Sequence, residues 1–578
     1  MHTLKTAPTI RTQVVVIGAG IAGSWLALKL ARAGVDTLMI HYTGSDRGGV
    51  IGSSARSVGA VNTSPMDRPD FRAFMDELGQ GQHHPSVVDL LLQYLPEELD
   101  ELLALGDFKK IKLGVALANG NAGSLVRRLH DEFRAAGGRM LDTWVTRIVA
   151  DEKTCRGVQY QRGDVLGKVL TSVIVVASGG YTGLFDGSVK TNNYGTVLGQ
   201  FLCSGGAATN LEFIFKHGYG KPDLGALTPT EELPGAEVYG KDGVHVEWLE
   251  RELYEGRGTA NHLEAFKHWR SNKEMDFFID LKFHDVYMKV QCINAAIGDV
   301  GAESDRVDTA VHDLMQLCPF EERIALERTL KPWVQARERI DYTRFKEIKP
   351  RFSSIAAGEV FRVRQIAYFS MGGIGHVNGT TNLANVFVTG EAMHDFGAHR
   401  VGGLPWGLYL SLSRFLSERL IDLLGAGRFT ATRDFDLIGV YAHFDQSLLA
   451  EIRTGLYQHQ ERNLNTSEAM EFIAWIRNKR RELIDAGLSL DDAVAWLVVA
   501  EAIMLASLIR TESRGCFYRH DHPAAQDELR GYFSCTHYDQ YPNTVKAKLV
   551  PVAELSDVVF PRLDIETYQT AELARHER

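Results

Sequence analysis

The first forty residues alternate between short apolar runs and one amphipathic stretch, a pattern that predicts a βαβ unit. Residues 13–17 read QVVVI, the β-branched apolar run of a strand buried in a parallel sheet. The following stretch SWLALKLARAG is typical of a helix that ends at Gly34, and DTLMI over 36–40 supplies a second strand. The chain therefore opens with an α/β fold.

Three glycines, Gly18, Gly20 and Gly23, occupy the turn between this strand and this helix with the spacing G-x-G-x-x-G. The first glycine permits a tight turn, the second lets the backbone approach a pyrophosphate, and the third allows close helix packing. Because the phosphates then lie at a helix N-terminus, the motif predicts a dinucleotide site. The acidic residue expected at the end of the second strand is replaced by His41, whose imidazole can still make one hydrogen bond.

Beyond this unit the chain changes pattern several times. A Gly/Ser-rich loop is followed by a helical stretch over 124–135 and by a β-meander that ends in the apolar strand VIVV. Residues 216–354 are richer in charged and aromatic residues, the strand NVFVTG at 385–390 returns to the earlier style, and helical periodicity dominates 433–512. We expect a Rossmann-like domain in two parts, an inserted α+β domain, a helical domain and a tail, with boundaries at 1–215 and 355–430, 216–354, 431–540 and 541–578.

The composition restricts the class of function. The 578 residues carry 63 Lys plus Arg against 73 Asp plus Glu, which gives a formal net charge of −10. This acidic balance lacks the positive footprint of a general nucleic-acid binder, so no nucleic-acid partner is expected. With 45% apolar and 24% charged residues, the chain has the composition of an ordinary soluble globular protein.

The sequence also indicates a compartment. We find no run of 18 or more apolar residues, and the N-terminal MHTLKTAPTIRTQ lacks the apolar stretch of a secretory signal. Six scattered cysteines form no C-x-x-C pair, and close histidine pairs lack further ligands, so neither a metal nor an iron–sulfur site is predicted. We expect a cytoplasmic protein with reduced thiols and no direct membrane insertion.

Several segments, taken in order, resemble the flavoprotein superfamily of succinate dehydrogenase, fumarate reductase and L-aspartate oxidase. The resemblance covers about residues 13–525. It is carried by the Gly-rich loop around Gly49, Ser53, Ser54 and Ala55, and by VIVVASGG (173–180), LEFIFKH (211–217), MGGIGHVNGTTN (371–382), VFVTGEA (386–392), GAHRVGG (397–403) and ESRGCFYRHDHP (512–523).

The resemblance implies FAD as the dinucleotide. It implies that Glu391 contacts the ribose-like chain of FAD and that residues near 402–406 approach the isoalloxazine ring. Covalent members of the family bond the flavin to a histidine in the Gly-rich loop, but the matching stretch GSSARSVGAVN has none, so we expect non-covalent FAD. The expected cofactor contacts are Gly18, Gly20, Gly23, His41, Gly49, Ser53, Ser54, Ala55, Val145, Ala177, Gly179, Glu391, Arg400, Pro405 and Trp406.

The carboxylate-binding positions of the family are only partly present. The family's H-G-A-N-R segment reads FGAHR here, with Phe396 in place of the leading histidine and Arg400 retained. A guanidinium matches a planar carboxylate bidentately, so Arg400 is the expected substrate anchor, with a structural ion pair as the alternative. In the family's H-Y-x-M-G-G segment, Tyr368 replaces a second carboxylate-binding histidine.

Three further residues match family positions for binding or proton transfer. His217 matches the histidine of F-H-P, and Glu231 resembles the T-E pair of a mobile capping domain, which implies that the insertion is a capping domain. Lys282 stands where fumarate reductases have a proton-delivering arginine. Since lysine titrates readily when desolvated, Lys282 or Tyr368 would transfer the proton; a solvated surface lysine is the alternative.

The resemblance implies dehydrogenation of a small carboxylate-bearing substrate by hydride transfer to flavin, with oxygen or a partner protein as electron acceptor. The loss of two histidines leaves a dianion poorly compensated, which disfavours succinate and fumarate and favours an amino-acid- or amine-type or specialised biosynthetic substrate. Two alternatives stay open: a flavoprotein subunit of a succinate dehydrogenase/fumarate reductase-like electron-transfer complex, and a non-catalytic FAD-binding protein. A homo-oligomer also stays open.

Overall fold

A computed structural model describes most of the chain. Gly49, Ser53, Ser54, Ala55, Glu231, Lys282, Phe396 and Arg400 lie outside the described residues. The described ranges are 4–42, 60–62, 68–106, 108–111, 114–117, 122–151, 154–188, 193–221, 226–227, 237–240, 276–280, 360–394, 397–398, 404–427, 434–439, 445–462, 464–488, 491–539 and 543–555.

Strands occur from one end of the described chain to the other. They are β1 (Lys5–Thr6), β2 (Ile10–Ile17), β3 (Thr37–His41), β4 (Ala60–Asn62), β5 (Phe108–Ile111), β6 (Gly114–Leu117), β7 (Arg139–Asp142), β8 (Trp144–Asp151), β9 (Thr154–Arg162), β10 (Val165–Val176), β11 (Ala207–Thr209), β12 (Ile214–Lys221), β13 (Ala226–Leu227), β14 (Glu237–Gly240), β15 (Asp276–Asp280), β16 (Val360–Ser370), β17 (Gly373–Ile374), β18 (Val386–Val388), β19 (Tyr532–Asp539) and β20 (Thr544–Pro551).

The α-helices fall into an early group, a long central helix and a late group. They are α1 (Ile21–Arg32), α2 (Arg68–Gly79), α3 (Pro85–Ala104), α4 (Ala122–Ala135), α5 (Thr196–Cys203), α6 (Leu404–Gly425), α7 (Gln446–Leu456), α8 (Thr466–Asp485) and α9 (Asp492–Ile509). A π-helical turn over Tyr457–Arg462 follows α7.

The largest sheet orders its strands β7-β3-β2-β10-β9-β8, and β1 and β18 also pair with β10. The pairs β2–β3, β3–β7, β2–β10 and β10–β18 are parallel, whereas β8, β9 and β10 form the expected antiparallel meander. Val14, Val15 and Val16 have no exposed surface, as a parallel strand covered on both faces requires. The predicted α/β fold with a parallel sheet is therefore confirmed.

Helix α1 completes the predicted βαβ unit between β2 and β3. It begins at Ile21, three residues before the apolar stretch used to predict it, and it is buried from Ala22 to Ala31. It packs against α4 and α6. The Nε1 of Trp25 donates to Glu98 of α3, and the Nζ of Lys29 lies 3.0 Å from the same carboxylate, so α3 is also fastened to this helix.

Smaller sheets adjoin the central one. One has the order β17-β11-β19-β20, another β13-β12-β16-β15-β14, and a third β4-β6-β5. In the second of these, β12 begins at Ile214 and β16 ends at Ser370, so the sheet extends beyond both ends of the segment 216–354. The proposed domain boundaries stay a prediction.

Among the helices that the structure describes, α9 alone is long and apolar enough to cross a membrane by length and composition, yet 83% of its length is buried inside the fold. The sequence predicts a helix in this segment, but Asp492 and Glu501 interrupt its apolar residues, so it contains no run of 18. Glu501 has no exposed surface and lies 2.6 Å from Arg477 Nε and 2.6 Å from Arg480 Nη1 of α8. Helix α9 is thus a core helix whose buried Glu501 carboxylate is paired with the neighbouring helix.

A buried guanidinium connects distant parts of the chain. Arg510, directly after α9, has no exposed surface. Its Nε donates to Glu212 Oε1 at 2.5 Å and its Nη1 to Glu512 Oε1 at 3.1 Å. Its Nη2 donates to Gln82 Oε1 at 3.2 Å and to the Tyr532 carbonyl at 2.9 Å. Both carboxylates are also buried, and whereas Glu512 is paired with Arg514 as well, the charge of Glu212 depends on Arg510.

We predict that Arg510→Met lowers the free energy of unfolding by about 3–5 kcal/mol, because Glu212 is then left buried without its cation. Denaturant unfolding of the purified full-length chain measures this. The matched control is Arg481→Met, which removes an exposed arginine of α8 and should change stability by no more than about 0.5 kcal/mol. Equal stability of the two variants would contradict the prediction.

Candidate functional site

The carboxyl ends of four parallel strands meet at one edge of the central sheet. In the register, Ile17 of β2 lies beside Ile40 of β3 and Val176 of β10, and Val176 lies beside Val388 of β18. Residues that directly follow these strands therefore converge, although they come from distant parts of the sequence. In open α/β sheets, the crevice outside such strand ends is where ligands bind.

The three glycines of the motif occupy this edge with distinct surroundings. Gly18 has φ +116°, and a Cβ added there would lie 2.2 Å from the carbonyl oxygen of Ala177. A Cβ on Gly23 would lie 2.1 Å from the Gly18 oxygen, so neither position tolerates a side chain. A Cβ on Gly20 would meet nothing within 4 Å. Gly20 is the N-cap residue of α1, and no side chain caps this helix N-terminus. Open space before an uncapped helix N-terminus fits a pyrophosphate.

His41 ends β3, where a ribose contact is expected. Its ring is partly buried, and its Nδ1 is buried without a hydrogen-bond partner among the described residues. Burial lowers the pKa of His41, and the Asp142 carboxylate only partly opposes this effect. The imidazole is therefore neutral near pH 7, and an unsatisfied ring nitrogen at this place fits a hydroxyl of the ribose.

Val145 lies in β8 close to His41, since the Thr143 nitrogen donates to the His41 carbonyl at 2.7 Å. Its side chain is 4% exposed, and its carbonyl accepts a hydrogen bond from Gln200 Nε2 at 2.9 Å. The structure thus places Val145 near the expected adenosine end of the site, with little surface left for a ligand.

Glu391 lies in a short 3₁₀ turn directly after β18 and is 8% exposed. Its Oε1 accepts hydrogen bonds from the backbone nitrogen of Ser370 at 3.2 Å and from the Ser370 Oγ at 3.1 Å. Ser370 is the last residue of β16, so this carboxylate joins a strand of the second sheet to the edge of the first. One carboxylate oxygen of Glu391 is therefore engaged within the protein.

The turn after β10 passes directly beneath this junction. A Cβ on Gly180 would lie 1.8 Å from Ser370 Oγ, and one on Gly179, whose φ is +81°, would lie 2.9 Å from Asn193 Nδ2. Ala177 is 8% exposed, and its nitrogen donates to the Ile17 carbonyl at 2.8 Å. Ala177 and Gly179 thus lie in the turn after β10, at this edge of the sheet. The sequence analysis did not select Gly180 or Ser370 as site residues. A signal was available for Gly180, because it is the second glycine of VIVVASGG.

Two of the expected substrate residues lie in paired strands. Tyr368 of β16 sits at a β-bulge opposite the step from Phe215 to Lys216 in β12. It is 8% exposed, and its ring centroid is 6.2 Å from that of Phe215. His217 follows in β12 and pairs with Ile366. Bulges re-aim side chains next to active sites, so this pair of strands suits a substrate pocket. Two other expected substrate residues, Glu231 and Lys282, lie outside the described residues.

The described residues just before Arg400, Gly397 and Ala398, contact two other parts of the chain. The nitrogen of Ala398 donates to the Gly79 carbonyl at the end of α2 (3.2 Å), and the carbonyl of Ala398 accepts from the Cys516 nitrogen (2.8 Å). A Cβ on Gly397 would lie 2.4 Å from the Gln82 carbonyl carbon. Ala398, two residues before Arg400 in the sequence, is therefore held between the end of α2 and the segment that follows α9.

Helix α6 begins at Leu404, four residues after Arg400 in the sequence. Its first turn holds the two remaining expected flavin contacts, Pro405 and Trp406, both of which are buried. The helix packs against α3 and against α1, the helix that starts at the glycine motif. Together, the glycine turn, the unpaired His41 nitrogen and the Glu391 junction fit a bound dinucleotide along this edge.

Two family models match the chain. The FAD binding domain matches residues 13–119, and the fumarate reductase flavoprotein C-terminal model matches residues 488–568. No curated protein matches the chain in sequence. The first match contains the glycine motif and His41, which assigns FAD as the dinucleotide.

Solved structures share the fold over nearly the whole chain. The quinol fumarate reductase FrdA of E. coli covers 94% of this chain and 97% of its own, at 16% identity and a TM-score of 0.69. Sdh1 of Mycobacterium smegmatis covers 94% and 95%, at 16% identity and 0.67. Adenylylsulfate reductase of Archaeoglobus fulgidus covers 95% and 96%, at 12% identity and 0.64. At these identities the likeness shows the fold, and the sequence models supply the family. The two sequence models confirm the resemblance to the FAD-dependent oxidoreductases of the succinate dehydrogenase/fumarate reductase flavoprotein superfamily.

Proposed function

We propose that this oxidoreductase dehydrogenates a small carboxylate-bearing substrate other than succinate, and that the substrate binds where β16 meets the carboxyl edge of the central sheet. The observation that carries the proposal is the bond between Ser370 and Glu391. It brings Tyr368, two residues earlier in the same strand, to the edge that holds the cofactor. A substrate between these parts would face the flavin.

FAD supplies the chemistry of hydride acceptance when it is bound. The chain's own residues bind, orient and exchange protons. Arg400 would hold the substrate carboxylate through its guanidinium fork, and His217 and Glu231 would orient the rest of the substrate. Lys282, at the family position of a proton-delivering arginine, or the Tyr368 hydroxyl would move the proton that accompanies the hydride.

The character of the pocket argues for a substrate with less charge than a dicarboxylate. Tyr368 and Phe396 stand where the family has two carboxylate-binding histidines. The ring of Tyr368 has an aromatic neighbour, Phe215, at 6.2 Å between centroids. A desolvated second carboxylate would lack partners there, which is costly. An amino-acid- or amine-type or a specialised biosynthetic substrate fits better.

A second candidate function differs in the electron acceptor: the chain would be a flavoprotein subunit of an electron-transfer complex. The near-complete overlap with FrdA and Sdh1 favours it, because no large segment of either chain is missing here. Among the described cysteines, Cys155, Cys516 and Cys535 are buried, and no described group of residues could hold a metal ion. We expect oxygen or a partner protein to take the electrons from the flavin. Rapid reoxidation by air favours an oxidase; dependence on a dye or a partner favours the subunit.

FAD is expected to be released by acid. The loop that carries the covalent histidine in related proteins has no histidine here, so no bond ties the flavin to the chain. Precipitation with trichloroacetic acid, followed by absorption spectra of pellet and supernatant, measures the partition. Yellow flavin should remain in the supernatant, and a yellow pellet would refute the expectation.

Succinate should reduce the flavin poorly. Under anaerobic conditions, we expect at least one amino acid, amine or monocarboxylate to bleach the flavin absorption, while succinate leaves it largely oxidised. Chemical reduction with dithionite is the control that shows the flavin is competent. Bleaching by succinate as fast as by any other compound of the panel would overturn the substrate proposal and leave FAD binding untouched.

Arg400→Lys should lower turnover about tenfold to a hundredfold. A charge-assisted hydrogen bond contributes about 1.5–3 kcal/mol, and lysine cannot reproduce the bidentate fork. Flavin content, read from absorption at constant protein, should stay normal because the charge is retained. Arg481→Lys, an exposed arginine of α8, is the matched control and should keep full activity. Loss of flavin, or full turnover, in Arg400→Lys would show a structural role for Arg400.

A further inference from the structure

A single histidine interrupts the apolar face of α4. His130 is 4% exposed, and its neighbours on that face, Leu125, Leu129 and Phe133, are 2% exposed or less. The helix packs this face against α1, the helix that begins at the glycine motif. A buried polar ring among aliphatic residues is costly unless it is hydrogen-bonded, so its partners show what it is for.

Those partners belong to the glycine turn. The Nε2 of His130 lies 3.1 Å from the carbonyl oxygen of Ala19 and 3.0 Å from the Oγ of Ser24. The Oγ of Ser24 donates to the same carbonyl at 3.2 Å. Burial lowers the pKa of His130, so the ring is neutral near pH 7, and an Nε2–H tautomer donates to the Ala19 oxygen. Two side chains thus hold one carbonyl of the turn.

The orientation of this carbonyl fixes the next N–H. In a planar trans peptide the C=O and the N–H point in opposite directions. The Ala19 oxygen is directed inward to α4, so the N–H of Gly20 is directed outward. It donates to no described residue, and a Cβ on Gly20 would meet no atom within 4 Å. The result is a free donor that faces the open space before α1.

We propose that His130 is a positioning residue for the pyrophosphate of FAD. By holding the Ala19 carbonyl, it sets the peptide plane that presents the Gly20 N–H to the phosphate oxygens. The inference rests on FAD binding and not on the identity of the substrate. Nothing in the G-x-G-x-x-G spacing specifies this residue, which lies 111 positions from Ala19 in the sequence.

The test compares two substitutions that differ in the donor. His130→Leu removes the donor, and His130→Gln keeps an amide N–H at a similar reach. Release of FAD from the full-length holoprotein, followed by the rise in flavin fluorescence after dilution, should be about tenfold faster in His130→Leu and nearly unchanged in His130→Gln. The affinity of the flavin-free full-length chain for ADP, measured by calorimetry, should fall about tenfold in His130→Leu, since ADP carries the same diphosphate.

His459→Leu is the matched control. That ring stacks on Phe472 at 5.4 Å in the late helical group, and its loss should leave ADP affinity unchanged. Thermal unfolding of the flavin-free proteins separates positioning from general damage: the two Leu variants should be destabilised to a similar extent, while only His130→Leu loses ADP affinity.

Three outcomes overturn the proposal. The first is normal ADP affinity in His130→Leu, the second is a loss in His130→Gln as large as in His130→Leu, and the third is an equal loss in His459→Leu. If His130→Leu does not fold, Ser24→Ala decides, because it removes the other donor to the Ala19 carbonyl. It should weaken ADP binding by a smaller factor, and unchanged binding in Ser24→Ala would then count against the proposal. None of these outcomes depends on substrate turnover, so failure here and failure of the proposed function are distinguishable.

Discussion

The parallel pairing of β10 with β2 on one side and with β18 on the other determines where every other part of the site can lie. The three strands end about 160 and 210 residues apart in the sequence, yet their register places Ile17, Val176 and Val388 side by side. Each strand then ends at the same edge. A slip of one residue would turn the alternating side chains of β18 to the opposite face and would carry Glu391 away from Ser370.

The C-terminal part of the chain completes this edge. Ala398 is held between Gly79 and Cys516, and Arg510 links Glu212 to Glu512 and to Gln82. Gly79 falls within the first matched family model and Cys516 within the second. The two segments that carry the family signal are thus far apart in sequence but adjacent in space, where both contact Ala398.

The local parts of the fold could be predicted from the sequence, because their signals depend on neighbouring residues. The apolar run of β2, the glycine turn and α1 are of this kind, and so is the position of His41 at the end of β3. Contacts made by tertiary packing could not be predicted. Ser370 reaches Glu391 only because β16 belongs to a sheet that crosses the expected boundary at residue 216, and His130 looks like an ordinary core residue until α4 is placed against α1.

Helix α9 has a consequence for the order of folding. Its apolar surface is covered partly by α5, which is synthesised earlier, and partly by β19 and β20, which follow it in the chain. During synthesis, α9 therefore leaves the ribosome before its C-terminal cover exists, with the Glu501 carboxylate able to pair only with α8. An exposed apolar helix of this length promotes aggregation, so a chain truncated before β19 should need chaperones or precipitate, whereas the complete chain hides the helix between its own elements.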